Sequence, residues 1–287
     1  MKGQVVRVIA GFYDVLDENK IEHRLRGSGK LRQQGVNPVV GDIVEFSPKG
    51  FVEFIFERKN FFVRPKIANV DQVIIVCSIE QPKFSSLLLD KFLLIAESKN
   101  IKPIIIITKV DLVSNYKEIL SDYIKMNYEI YFNNNKKPTE EIINQLKNIF
   151  KDKISVFMGQ TGVGKTTTIN LLSNKQYETN EISFYLNRGK HTTRVVQIVD
   201  WNDGQIIDTP GFSFFEIDLD KNSLAKSFKI FQENLNKCKF NTCLHYKEET
   251  KNCEIKKMVE QNSIPEQRYE NYLFFLKKTL GEIDEKN

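Results

Sequence analysis

No run of apolar residues in this 287-residue sequence can cross a bilayer. The longest, such as Ile104 to Ile107, fall far short of the roughly 20 residues that a spanning helix needs. No signal-like order of basic, apolar and small residues opens the chain, so a cytoplasmic protein with no membrane partner is expected. An excess of one charge is lacking as well. The 42 Lys and Arg face 37 Asp and Glu, a net of +5, which permits a nucleic-acid partner without requiring one. Cysteine is scarce, four in all. Without a secretory signal, that scarcity argues against a disulfide framework and turns attention to metal binding. The apolar and charged fractions are ordinary for a globular protein, and the length suits about two domains with sizeable cores.

The chain is organised around Gly159-Gln160-Thr161-Gly162-Val163-Gly164-Lys165-Thr166, which fits the phosphate-loop pattern G-x-x-x-x-G-K-[ST]. An apolar run, Ile154 to Met158, precedes it and a helix-like segment, Thr167 to Leu172, follows. Glycines let consecutive backbone N–H groups turn inward at the positive end of a helix, where a triphosphate can sit. Lys165 would then reach the β- and γ-phosphates, and the Thr166 hydroxyl would ligate Mg²⁺.

Ahead of that loop the texture changes once. Residues 1 to about 66 read as short strands (Gln4 to Ile9, Gly11 to Leu16, Ile21 to Leu25, Asp42 to Phe46, Phe51 to Phe56) punctuated by Gly, Asp, Asn and Pro, the pattern of a small all-β barrel. Arg24, Arg26, Lys30 and Arg32 surround Gly27 and Gly29 in an expected loop that could track a phosphate backbone or be a solvated surface. From Asn69 onward, strands alternate with helix-length segments: Val73 to Cys77, Ser85 to Lys99, Lys102 to Ile107, Lys117 to Lys125, Tyr128 to Phe132 and Thr139 to Phe150. Such alternation predicts a parallel sheet with crossover helices.

Thr108-Lys109-Val110-Asp111 closes the second of these strands, at the carboxyl end where open α/β sheets bind ligands. It fits a guanine-reading element. The Asp111 carboxylate would accept from the ring N–H and exocyclic amine of guanine, for which adenine has no matching donors. Beyond the phosphate loop, Arg188 to Arg194 (RGKHTTR) precedes a strand at Val195 to Val199. A second strand, Gln205 to Ile207, leads into Asp208-Thr209-Pro210-Gly211, which fits the D-x-x-G element that meets Mg²⁺ and the γ-phosphate. Conventional GTPases place the base-reading element last, whereas here it comes about fifty residues before the phosphate loop. A circular permutation explains that order, and it is sterically feasible because domain termini lie close together. Cys238, Cys243, His245 and Cys253 follow, spaced C-x₄-C-x-H-x₇-C, a set that can close a tetrahedral structural zinc site. Cys77, inside an apolar strand, reads as core. Pro265 to Leu280 reads as a helix with an apolar stripe.

Together RLRG, NPVVGDIV, NVDQVIIV, TKVDL, GQTGVGKTTTINLL, RGKHTTR, IIDTPGF and the Cys/His cluster resemble the ribosome small-subunit-dependent GTPase A family over essentially the full length. The resemblance implies an α/β fold: an N-terminal OB-fold barrel that binds RNA (1–66), a circularly permuted GTPase domain (67–220) and a C-terminal zinc-binding helical domain (221–287). It also implies a monomer that hydrolyses GTP with Mg²⁺ and carries one Zn²⁺. Its partner would be the small ribosomal subunit and its RNA, late in that subunit's maturation. The nucleotide would contact Thr108, Lys109, Asp111 and Gly159 to Thr167. Lys165, Thr166, Thr192 or Thr193, Asp208 and Gly211 would act on the phosphates and metal. Phe212 stands where many GTPases carry a water-orienting Gln, so His191 is a candidate for that role, with an ordinary loop histidine as the alternative. Two departures stand out: Thr108 in place of the usual Asn, and no Ser-Ala base contact between Tyr131 and Lys137, which leaves that contact to backbone N–H groups. A zinc-containing RNA-binding adaptor with structural nucleotide is the alternative from another class, and TKVD and DTPG disfavour an ATP-dependent kinase.

Overall fold

Five short strands rich in β-branched and aromatic residues close on themselves at the N-terminus. In the computed structural model, which describes residues 1–173, 196–208 and 215–283, β1 (Lys2–Ile9), β2 (Phe12–Asp17) and β3 (Glu22–Gly27) run as an antiparallel meander. A short helix, α1 (Gly29–Gln33), leads to the hairpin of β4 (Ile43–Ser47) and β5 (Phe51–Ile55). β3 pairs with β5 in parallel and β4 returns to β1, so the barrel closes and has no free edge. Val5, Val15, Leu25, Val44, Phe46 and Val52 fill it, with Leu31 of α1.

The expected basic loop is therefore a strand and a helix. Arg24 and Arg26 lie on β3, whereas Lys30 and Arg32 lie on α1, whose first turn is capped by Ser28 and held by buried Leu31. Arg24 donates to Asp14 at 2.8 Å and Arg26 lies 4.6 Å over the Phe12 ring.

A small hairpin, β6 (Phe61–Phe62) and β7 (Ile67–Ala68), leads into the α/β region. Its elements are β8 (Gln72–Ser78), α2 (Ser86–Glu97), β9 (Lys102–Thr108), α3 (Tyr116–Ile119), α4 (Ser121–Lys125), β10 (Ile130–Asn133), α5 (Glu140–Ile149), β11 (Ile154–Met158), α6 (Lys165–Leu172), β12 (Gln197–Trp201) and β13 (Gly204–Asp208). The strand order is β10-β9-β8-β11-β13-β12, parallel throughout except for β12, which forms an antiparallel hairpin with β13. An Arg7–Gln197 pairing joins β12 to the barrel, giving one continuous sheet. The expected helix over 117–125 breaks at Leu120, whose side chain is fully buried and whose backbone leaves the helical region.

Period-two alternation along β8 serves two cores. Ile74 and Val76 face the layer of Leu146, Phe150, Ile169 and Leu172 from α5 and α6. Val73, Ile75 and Cys77 face α2 and the C-terminal helices. These are α7 (Lys221–Ala225), α8 (Lys229–Gln232), α9 (Glu254–Glu260) and α10 (Glu266–Thr279), the last packed against α2.

Candidate nucleotide site and metal centre

The parallel strands β8, β9, β10, β11 and β13 present their carboxyl ends on one edge, and the sequence-predicted nucleotide elements on described residues emerge there. β11 delivers Gly159 to Thr166. Two of its glycines are required by space and by φ. A Cβ on Gly159, at φ +152°, would lie 2.3 Å from the Val76 carbonyl oxygen, and one on Gly164, at φ +94°, would lie 2.9 Å from Asn135 Nδ2. The chain enters α6 directly at Lys165. The Lys165 ammonium donates to the Gly159 and Gln160 carbonyls, both at 2.7 Å, and its burial lowers its pKa to about 8. Val163 is buried, whereas Gln160, Thr161, Gly162 and Thr167 are exposed, with Thr166 half-buried.

β9 brings Thr108 and Lys109 onto this loop. The buried Thr108 hydroxyl donates to the Val163 carbonyl at 2.5 Å, and Lys109 Nζ donates to the carbonyls of Gln81 and of Gly162, the latter at 2.9 Å. Lys109 adopts a left-handed backbone, φ +57°, and starts the 3₁₀ turn Val110–Leu112 that carries Asp111. The Asp111 carboxylate lies 3.9 Å from the Lys136 ammonium. Two segments about fifty residues apart thus meet: the Thr108-Lys109-Val110-Asp111 turn and the Gly159 to Thr166 loop.

The loop after β10 occupies the third side. Asn134 Oδ1 accepts from the Lys136 and Lys137 N–H groups at 3.0 and 3.3 Å, so two of the backbone donors that the sequence offered to the base are engaged within the loop. Sequence reasoning missed Asn133 and Asn135; the signal was their position just past the strand that pairs with the TKVD strand. Asp208 is the last residue of β13, one beyond the Ile207 that pairs with Val156 of β11. His191, Thr192, Thr193 and Gly211, together with Phe212, lie outside the described residues.

Away from this edge, Cys238, Cys243, His245 and Cys253 converge as predicted. All four are buried and their ligand atoms lie within 4.8 Å of one another. His245 Nδ1 is 3.7, 3.3 and 3.3 Å from the sulfurs of Cys238, Cys243 and Cys253. A zinc tetrahedron with Zn–S near 2.3 Å and Zn–N near 2.0 Å has edges of about 3.5–3.8 Å, so the donor set fits that ion. Burial lowers the His245 pKa to about 4, keeping the imidazole neutral as a ligand must be, and raises the Cys243 and Cys253 thiols, which a bound cation would reverse. Around the cluster, Tyr269 and Tyr272 of α10 donate to the His245 and Leu244 carbonyls at 2.6 and 2.5 Å, while Glu248 accepts from the Leu244 and Tyr246 N–H groups. These bonds fix the ligand loop to the helix that packs on α2.

Comparison with known proteins agrees with this geometry. A family model described as RsgA GTPase matches residues 55–218, and one described as RsgA N-terminal domain matches residues 2–51. The chain is 52% identical over 290 residues to the small ribosomal subunit biogenesis GTPase RsgA of Mesomycoplasma hyopneumoniae strain J, covering 100% of both chains. It is 38% identical to the protein of that name from Bacillus subtilis strain 168, covering 96% of each. Among solved structures, YjeQ from Thermotoga maritima superposes with a TM-score of 0.79 at 31% identity, covering 98% of each chain. YloQ, described as a circularly permuted GTPase, gives 0.76 at 32% identity, covering 99% of this chain and 96% of that one.

Proposed function

Because the chain belongs to the RsgA GTPase family and is a circularly permuted GTPase, we propose that it hydrolyses GTP on the small ribosomal subunit, late in that subunit's maturation, as a cytoplasmic monomer. The observation that carries this reading is the bonding of Thr108 and Lys109 to the phosphate loop, which makes base reading and phosphate binding one site. The OB barrel (1–66) binds ribosomal RNA, residues 67–220 hydrolyse GTP, and residues 221–287 hold one Zn²⁺ on Cys238, Cys243, His245 and Cys253.

Phosphoryl transfer asks the protein mainly for position and charge. Asp111 reads guanine while the Lys109 stem covers the base. Gly159 to Thr167 hold the phosphates with backbone N–H groups, and Lys165 places its ammonium on the β- and γ-phosphates. Thr166 would hold Mg²⁺ directly and Asp208 through water, and an ion held there would supply positive charge to offset that of the phosphoryl group. Thr192 or Thr193 and the Gly211 N–H sense the γ-phosphate. Water attacks the γ-phosphorus, the bond to the β,γ-bridging oxygen breaks, and the water's protons end on phosphate and solvent. The phenyl ring of Phe212 cannot hydrogen-bond that water, so unassisted turnover is slow. His191 orients the water when the subunit is bound.

GTP turnover measured with and without purified small subunits tests the proposal. Strong acceleration supports it. Equal rates would instead fit an RNA-binding adaptor in which nucleotide serves as a structural ligand.

A further inference from the structure

The base-reading side and the phosphate loop are also joined through side chains that the roles above leave unused. Asn133 ends β10 opposite Thr108 in the parallel register, and its side chain is fully buried. Its amide donates to Asn135 Oδ1. Asn135 sends its own amide to Thr168 Oγ1 at 3.2 Å and towards the Gly164 carbonyl at 3.4 Å. The Thr168 hydroxyl, one turn into α6, also bonds to the Gly164 carbonyl at 2.9 Å. Asn135 therefore accepts on one side from the strand beside the base-reading element and donates on the other to the first turn after the phosphate loop. Gly164 is the residue whose missing Cβ leaves room for that amide.

Chemistry explains the residue type. One short side chain must supply both an acceptor and a donor in a single plane; a serine has reach for only one of these partners, and an alanine has neither. Asn135 also precedes Lys136, whose ammonium faces the Asp111 carboxylate. Fixing Asn135 thus fixes the loop whose Lys136 ammonium lies 3.9 Å from the base-reading acid.

We propose that Asn135 is a positioning residue for guanine recognition, its side chain clamping the 133–137 loop to the first turn of α6 so that Asp111 is aligned with the base only when the phosphate loop holds its binding geometry. This inference rests on the reading of Asp111 as the guanine acceptor. It predicts an effect on discrimination beyond one on affinity. Inosine triphosphate lacks the exocyclic amine that Asp111 would accept, so the ratio of GTP to inosine triphosphate affinity reports the alignment of that carboxylate.

The test is nucleotide titration of the full-length protein with GTP, inosine triphosphate and ATP, using wild type, Asn135→Ala and Thr168→Val. Asn135→Ala is expected to weaken GTP binding about tenfold and inosine triphosphate binding less, narrowing the preference between them. Thr168→Val keeps its volume but loses the hydroxyl, and should shift the preference in the same direction by about threefold. Equal loss for both nucleotides would mark Asn135 as structural support and overturn the proposal, as would no change in either. Should Asn135→Ala fail to fold, Thr168→Val decides alone. A wild type that does not prefer GTP over ATP would instead overturn the guanine reading itself, a separate failure.

Discussion

Arg268 on α10 donates from Nη1 to Asp90 Oδ1 on α2 at 2.8 Å, across 178 residues of sequence, and both side chains are buried. Its Nη2 donates to the Tyr128 hydroxyl at 2.5 Å and faces Glu97 at 3.5 Å, while its guanidinium lies 4.0 Å over the Phe228 ring. Asn271 donates to the second Asp90 oxygen at 2.6 Å, and Glu97 accepts the Lys229 N–H at 2.8 Å. One cation thus ties α10, which packs beside the Cys/His cluster, to α2 of the α/β region.

Removing that cation leaves the buried carboxylates of Asp90 and Glu97 without their countercharge. Arg268→Met should cost about 3–5 kcal/mol, the usual effect of breaking a buried pair from one side. Arg268→Lys should recover only part of this, because an ammonium lacks the planar fork that reaches Asp90 and Tyr128 together. Urea unfolding of the two variants measures both values.

Nucleotide affinity should depend on pH through Lys165. Burial holds its pKa down at about 8. Phosphate binding needs the charged form, which is already present below that value and must be regained by proton uptake above it. Affinity should therefore be flat below about pH 8 and fall as pH rises beyond it, approaching tenfold per unit. Lys165→Arg should flatten the profile, because a guanidinium stays protonated throughout. Titration of a GDP analogue from about pH 7 to about pH 9 reads the slope.

The metal cluster should carry about one zinc per chain by elemental analysis. Cys253→Ser should lower that content severalfold and expose Tyr269 and Tyr272, whose hydroxyls are held by the ligand loop. A rise in tyrosine accessibility on chelation is the matching readout for the unmutated protein.

Thr108 has one hydroxyl proton, given to the Val163 carbonyl, while Asn133 Oδ1, across the register, is buried without a donor among the described residues. Thr108→Asn brings two N–H donors to the same place. It should raise stability by about 1 kcal/mol and tighten GTP binding, unless the added atom overpacks the site. Thermal unfolding with and without nucleotide separates those two results.

His191→Ala should lower subunit-stimulated turnover by about a hundredfold or more, the scale of a lost proton-handling or water-orienting group. GTP affinity should stay within about threefold, since phosphate binding is assigned to other residues. Single-turnover kinetics on purified subunits would distinguish this from loss of binding, and unchanged stimulated turnover would remove His191 from the mechanism.

Strands and motifs were legible because their signals are local. The alternation that builds the barrel and the continuous apolar runs of β8 and β9 lie within a few residues of what they specify. What escaped depends on distant partners. Arg268 sits among Glu266, Gln267 and Glu270, and its partners Asp90, Glu97 and Tyr128 lie far back in the chain. The asparagines after β10 read as a polar loop, and their role appears once β10 lies beside β9. Arg24 and Arg26 read as a free basic loop until Asp14 and Phe12 on β2 engage them.

The strand order β10-β9-β8-β11-β13-β12 also bears on how the chain is made. As synthesis proceeds, β9 and then β10 add on one side of β8, and the other side is filled only when β11 emerges, followed by β12 and β13 as a hairpin. Among the described strands, none has to be threaded between two that are already paired. The cost falls on β8, every residue of which is buried in the finished protein. Until residues 154–158 have left the exit tunnel, that apolar strand keeps one unpaired edge and needs shelter in the nascent chain.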